Sequence, residues 1–157
     1  MKLIAKMFTI AGMAAALVSC ADNFISDLQF TSDLLFIISG PLSHIASLFK
    51  MHPVLTVGGT ICILDGLKDI NAFFDVFELP FKKFATFLVP ASIRLIMQFS
   101  YERLCQLADK IDFIETGAAP ITQHDMEMLS KALPKSRLYN TLGGTEIGAV
   151  CTYNFND

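Results

Sequence analysis

Short apolar runs alternate with amphipathic stretches along most of this chain, and no other property restricts its fold as strongly. "LLFII" (34–38), "GGTICIL" (58–64), "FATFLV" (84–89) and "IDFIE" (111–115) are five to seven residues long, and the first three carry no charged residue. A strand that is apolar on both of its faces has to be covered on both, which is the condition of strands in a parallel sheet. The stretches between these runs have helical periodicity. Strands alternating with helices of about ten residues predict an α/β fold, a mostly parallel sheet flanked by helices.

The helical stretches carry their own punctuation. "SHIASLFKMH" follows Pro41 and reads as a helix opening on Ser43, a residue whose hydroxyl caps free backbone N–H groups. "KDINAFFDVFE" places Ile70, Phe73, Phe74 and Phe77 at i, i+3, i+4 and i+7, one apolar face of a helix. "ASIRLIMQFSYERLCQLADK" follows Pro90 and is helical with a break expected near Ser100. "TQHDMEMLSKAL" opens on a Thr122-x-x-Asp125 capping box and stops before Pro134. "RLY" and "AVCTYNF" are the last strand candidates. No repeat, linker or low-complexity segment interrupts the pattern, so residues 1–157 are expected to form one domain, and 53% apolar residues are ample for its core.

The first residues admit two readings. "MKLIAKMFTIAGMAAALVSCAD" has two lysines, an apolar run and then "LVSC", the pattern of a lipoprotein signal, in which residues 1–20 end on a lipidated Cys20. Yet Leu17, Cys20, Ala21, Phe24, Ile25 and Leu28 recur at helical spacing straight through that cleavage point. A leader has no reason to share its periodicity with the mature chain. The expectation is therefore a cytoplasmic, unlipidated chain, with lipid anchoring through Cys20 as the alternative. No stretch reaches the roughly 18 apolar residues of a transmembrane span.

A net charge of -3, with 12 basic residues scattered along the chain, gives no stripe of the kind that binds phosphate backbones, and nucleic acid is not an expected partner. Cys20, Cys62, Cys105 and Cys151 lie about forty residues apart without a C-x-x-C, which argues against zinc or a redox pair and for small core hydrophobes.

In a parallel sheet, ligands sit at the carboxyl ends of the strands. Three loops then matter: "GPLSHIASL" after the first strand, "TGAAPIT" after "IDFIE", and "NTLGGTE" after "RLY". Singly each has a plain structural reading: His44 as a helix-start or core histidine, Gly117 to Pro120 as a tight connection, Thr145 and Glu146 as a polar turn. Together and in this order, "PLSHIASL", "TGAAPIT" and "LYNTLGGTEIGAV" resemble successive motifs of the class I adenylate-forming superfamily of acyl- and aryl-CoA ligases, luciferases and peptide-synthetase adenylation domains. The resemblance runs from about Leu17 onward and includes "GGTICIL" and "LVPASIRLIMQ".

That resemblance implies an acid–CoA ligase of which this chain is part of the N-terminal domain. Such enzymes join a carboxylic acid to the α-phosphate of ATP, release pyrophosphate, and pass the acyl group to coenzyme A. By resemblance Thr145 donates to the α-phosphate and Glu146 helps hold Mg²⁺, a hard ion that takes oxygen ligands. Gly117, Ala118, Ala119 and Pro120 line the adenine and acyl pockets. Asn140, Leu142, Gly143 and Gly144 belong to the nucleotide side, and His44 stands at the wall of the acid pocket. Leu142 departs from the family, which usually has an aromatic ring there. No lysine-bearing Ser/Thr/Gly-rich loop precedes His44, and the family's ribose-binding aspartate and lid lysine are not matched in this sequence. The expectation is a ligase fragment that is inactive alone and associates with a larger ligase chain. The alternative is a surface-anchored lipoprotein or a non-catalytic interaction module on the same scaffold.

Overall fold

The structure, a computed structural model, describes residues 18–144 and 148–157. The helical stripe is present where described: residues 18–28 form α1. The rest of the proposed leader, with Leu17, lies outside the described residues. After α1 the order is β1 (Leu34–Ile38), α2 (Ile45–Thr56), β2 (Thr60–Ile63), α3 (Ile70–Asp75) running into a 3₁₀ turn at Val76–Glu78, β3 (Lys83–Leu88), α4 (Pro90–Gln106), β4 (Ile111–Gly117), α5 (Gln123–Ala132), β5 (Arg137–Gly144) and β6 (Gly148–Asn154).

The strands form one sheet in the order β2-β1-β3-β4-β5-β6, with every pair parallel except the last. The α/β expectation is met. The period-2 alternation of β1 shows why both faces had to be apolar. Leu35 and Ile37 point to one face and join Phe73, Phe77, Ile93, Ile96, Leu129 and Leu138 beneath α3, α4 and α5. Leu34, Phe36 and Ile38 point to the other and join Phe24, Leu28, Val54, Phe113 and Tyr139 beneath α1 and α2. Aromatic edges fill that second layer: Phe113 stands 5.4 Å from Phe30, 6.0 Å from Phe36 and 5.9 Å from Tyr139, ring to ring. Arg137 ties α1 down, donating through Nη1 to the Leu28 carbonyl (2.8 Å) and through Nη2 to Asp112 (2.7 Å).

Helix punctuation follows the sequence with shifts of a residue or two. The Thr122 hydroxyl accepts from the Asp125 N–H at 3.1 Å, and the Asp125 carboxylate accepts from the Thr122 N–H, completing the capping box. α4 breaks at Ser100, whose φ of −149° is not helical. α3 starts on an Asp69 cap. α2 begins on His44 rather than Ser43, because the imidazole Nδ1 accepts from the Ala46 N–H at 3.2 Å.

Two expectations are corrected. The described part of "NTLGGTE", Asn140 to Gly144, is not a loop after a three-residue strand: it continues β5, and the glycines belong to an antiparallel pair with β6. A Cβ on Gly143 would stand 2.6 Å from the Gly148 carbonyl oxygen, so close backbone approach, not turn-making, is what requires glycine there. The cysteines lie at the margin of the core rather than within it: Cys20, Cys62 and Cys105 are half-buried and packed against the apolar clusters, Cys151 is exposed, and all four are free thiols.

Candidate functional site

Two hollows open at the carboxyl ends of the parallel strands, on either side of β5. The first, a cavity of about 200 Å³, lies on the α1/α2 face and takes its wall from His44, Ile45, Ala46 and Phe49 at the start of α2, Phe87 from β3, Glu115 from β4 and Ala118 just beyond it, and Thr141, Gly143 and Gly144 from β5. The second, about 390 Å³, is bounded by Ala118, Ala119, Pro120, Asn140, Leu142, Cys151 and Tyr153. Strand alternation produces the division: Asn140 and Leu142 point away from the face to which Tyr139 points. Ala118, Thr141 and Gly143 border both hollows.

Small residues make this junction. Gly117 lets β4 and β5 close up, since a Cβ there would meet the Thr141 carbonyl oxygen at 2.6 Å. Ala118 follows with φ of 63°, a left-handed conformation that turns the chain out of β4 between the two hollows. Of the residues singled out from sequence, His44, Ala118, Gly143 and Gly144 thus come together in one cavity, and Ala118, Ala119, Pro120, Asn140, Leu142 and Gly143 around the other. Thr145 and Glu146 lie outside the described residues. Among the described residues no group of three His, Cys, Asp or Glu side chains could hold a metal ion.

His44 is exposed at the cavity rim. Its Nδ1 is engaged as the helix cap, which in the neutral ring leaves Nε2 as the donor.

The most polar feature of the cavity was not legible in the sequence. Lys50 reaches from α2 to Glu115 on β4, with Nζ 2.8 Å from Oε1 and 2.7 Å from Oε2; the side chains are 3% and 1% exposed. Nζ also sits 3.5 Å from the centre of the Phe24 ring, a close cation–π contact. Glu115 lies between Phe87 and Tyr139 in the register of the sheet, so its carboxylate enters the α1/α2 layer among aromatic rings. Burial pushes the Lys50 ammonium below its ordinary value, and the Glu115 charge and hydrogen bond pull it back without cancelling the shift. Oε2 has the ammonium at contact distance but no hydrogen bond of acceptable angle.

The chain is similar in fold to solved adenylate-forming enzymes. It superposes on ATP-bound MatB from Rhodopseudomonas palustris with a TM-score of 0.76 at 19% identity, over 90% of this chain and 27% of that one. On a malonyl-CoA ligase in a ternary product complex with methylmalonyl-CoA and AMP the TM-score is 0.73 at 22% identity, over 88% of this chain and 30% of that one. The chain therefore spans about three-tenths of the length of these structures. No curated protein sequence matches it. The model of the AMP-binding enzyme family matches residues 6–157. That match takes in both hollows and every strand that bounds them, and by it the chain belongs to the family of AMP-binding enzymes.

Proposed function

We propose that this chain supplies the acid pocket and one wall of the nucleotide site of an ATP-dependent carboxylic acid–CoA ligase. The observation that carries the reading is the convergence of His44, Ala118, Gly143 and Gly144, from three separate segments, on one cavity at the carboxyl end of the sheet. Such a site serves acyl-adenylate formation. A carboxylate oxygen of the acid attacks the α-phosphorus of ATP, the bond to the pyrophosphate oxygen breaks, and pyrophosphate leaves; the thiol of coenzyme A then attacks the acyl carbonyl and AMP leaves.

In this reading His44 Nε2–H meets the incoming carboxylate at the cavity rim. The hollow along Ala118 to Pro120 and Asn140 to Leu142 takes the adenine. Its wall suits a flat base, because Ala118, Ala119 and Gly143 leave backbone exposed to close approach. Thr145 donates to the α-phosphate and Glu146 is the carboxylate toward Mg²⁺. The ion, when bound, neutralises phosphate oxygens. Coenzyme A is the proposed acyl acceptor.

Binding tests the site directly. In the 157-residue chain, AMP and an aromatic acid are expected to shift the NMR signals of His44, Ala118 and Gly143. Shifts confined to residues away from both hollows, or none at all, would overturn the reading. Turnover is a separate matter. Groups that act on one phosphorus centre contribute together far more than singly, and the chain spans only about three-tenths of the ligases it resembles. We expect the isolated chain to exchange no labelled pyrophosphate into Mg-ATP with fatty or aromatic acids. Exchange above a Glu146→Gln control would show that these residues suffice. Co-purification with a longer ligase chain is the corresponding expectation in cells.

We also propose a cytoplasmic location without lipid. Cys20 sits half-buried in α1, packed against the cluster that contains Phe24 and Leu28, where an acylated thiol would open the helix from the sheet. No helix among the described residues is long and apolar enough to cross a membrane. Metabolic labelling with palmitate is expected to leave Cys20 unmodified; a labelled Cys20 in the membrane fraction would refute the proposal.

A further inference from the structure

The register of β5 and β6 brings one aromatic side chain to the second hollow. Asn140 pairs with Tyr153 and Leu142 with Cys151, and directly opposed residues of an antiparallel pair lie on the same face. All four border the hollow. The pair between them, Thr141 and Thr152, is joined hydroxyl to hydroxyl at 2.9 Å. Among the described residues that bound the hollow, Tyr153 alone is aromatic. It stands on an edge strand with about half of its surface open, yet its ring is held at two points. The hydroxyl donates to Met126 Sδ on α5 at 3.6 Å, and the ring lies 6.4 Å from that of Phe155, which packs against the buried cluster beneath α3, α4 and α5. A side chain ordered in advance spares a ligand the entropy of ordering it.

Resting on the reading of this hollow as the adenine side of a nucleotide site, we infer that Tyr153 is the platform on which the base stacks. Every base has a π-face, and an aromatic side chain binds it through that face whatever groups lie along its edge. Leu142, diagonal to Tyr153 on the same face of the pair, gives apolar contact but no π surface. Ala118, Ala119 and Pro120 are exposed and short, so they leave the hollow open to a flat group. Its volume of about 390 Å³ exceeds the roughly 150 Å³ that holds one benzene ring, which leaves room for a purine. The platform contributes affinity for a base and no choice among bases.

The test uses AMP on the whole 157-residue chain, with occupancy read from the amide signals of Ala118 and Gly143. In the wild-type chain, nuclear Overhauser contacts are expected between the Tyr153 ring protons and H2 or H8 of adenine. Tyr153→Leu keeps apolar bulk and removes the π-face. It should bind AMP about tenfold more weakly, within the range that stacking of one base contributes. Tyr153→Phe gives up the bond to Met126 but keeps the face, and should bind AMP as the wild type does. AMP that shifts Ala118 and Gly143 without a contact to the Tyr153 ring would overturn the inference and leave the adenine hollow in place. So would a Leu variant that binds as tightly as the wild type, or a Phe variant that loses as much as the Leu variant. If AMP shifts neither Ala118 nor Gly143, the adenine hollow falls and the inference with it. The contact to adenine is read on the wild-type chain alone, so it decides the matter even if a variant does not fold.

Discussion

Lys50 lies on the face of α2 that turns toward the sheet, with Ser47 and Val54 beside it, while Leu48 and Leu55 of the same helix are about half-exposed. Apolar periodicity alone assigns this helix the wrong inner face, since what stabilises Lys50 is a carboxylate 65 positions away in the chain. A buried pair of this kind is sensitive to losing one member and tolerant of losing both. Lys50→Met alone, which strands the Glu115 charge, is expected to cost about 3–5 kcal/mol in urea unfolding. The double replacement by Met and Leu should return to within about 1 kcal/mol of the wild-type chain or exceed it. If the single variant were as stable as the double, the pair would not be charged as described. Ala118 offers a second test at this scale. Its φ of 63° is worst for a β-branched side chain, so Ala118→Val should lose about 1–3 kcal/mol, whereas Ala118→Gly should stay close to wild type.

Individual elements were legible in the sequence to the extent that their signals were local. The runs "LLFII" and "FATFLV" are short, apolar and rich in branched and aromatic residues, which favours strands, and the capping box of α5 and the break at Ser100 need only neighbouring residues. The β5–β6 pair was not legible, because Gly143 is required by a carbonyl of the opposite strand and in isolation imitates a turn. Gly143→Ala should accordingly weaken the hairpin by about 1–3 kcal/mol, with the loss of amide protection confined to β5 and β6. The cap of α5 has a pH signature. Burial pushes the Asp125 carboxyl up, but hydrogen bonds from Thr122 and Arg94 and the nearby guanidinium outweigh this and hold it below its ordinary value of 3.8. Its contribution is therefore present above pH 3.8 and is lost as pH falls below that value through the folded-state pKa. Thr122→Ala should cost about 1 kcal/mol at neutral pH, and the gap between variant and wild type should narrow in acid over that window. A gap that widened in acid would contradict the capping geometry.

Across the whole molecule, burial is concentrated in the middle of the sheet. β1 is buried at every position, and β3 and β4 at nearly every one, while β2 at one edge and β6 at the other are half-covered or exposed. Hydrogen exchange should follow that gradient, slowest for amides of β1 and β3 and fastest in β2 and β6; uniform protection across the six strands would mean that the edges are covered in solution. The strand order has a further consequence for how the chain comes to be folded. Once β1 and β2 have paired, β3 docks on the free side of β1, β4 on β3, β5 on β4, and β6 folds back on β5. None of the described strands has to be inserted between two that are already joined, so a chain emerging from the ribosome meets an open docking edge for each of them as it appears. Non-local parallel pairing is otherwise slow and exposes unpaired edges to aggregation. Here the unsatisfied edge advances with synthesis, from β3 to β4 to β5 and, by an antiparallel turn-back, to β6.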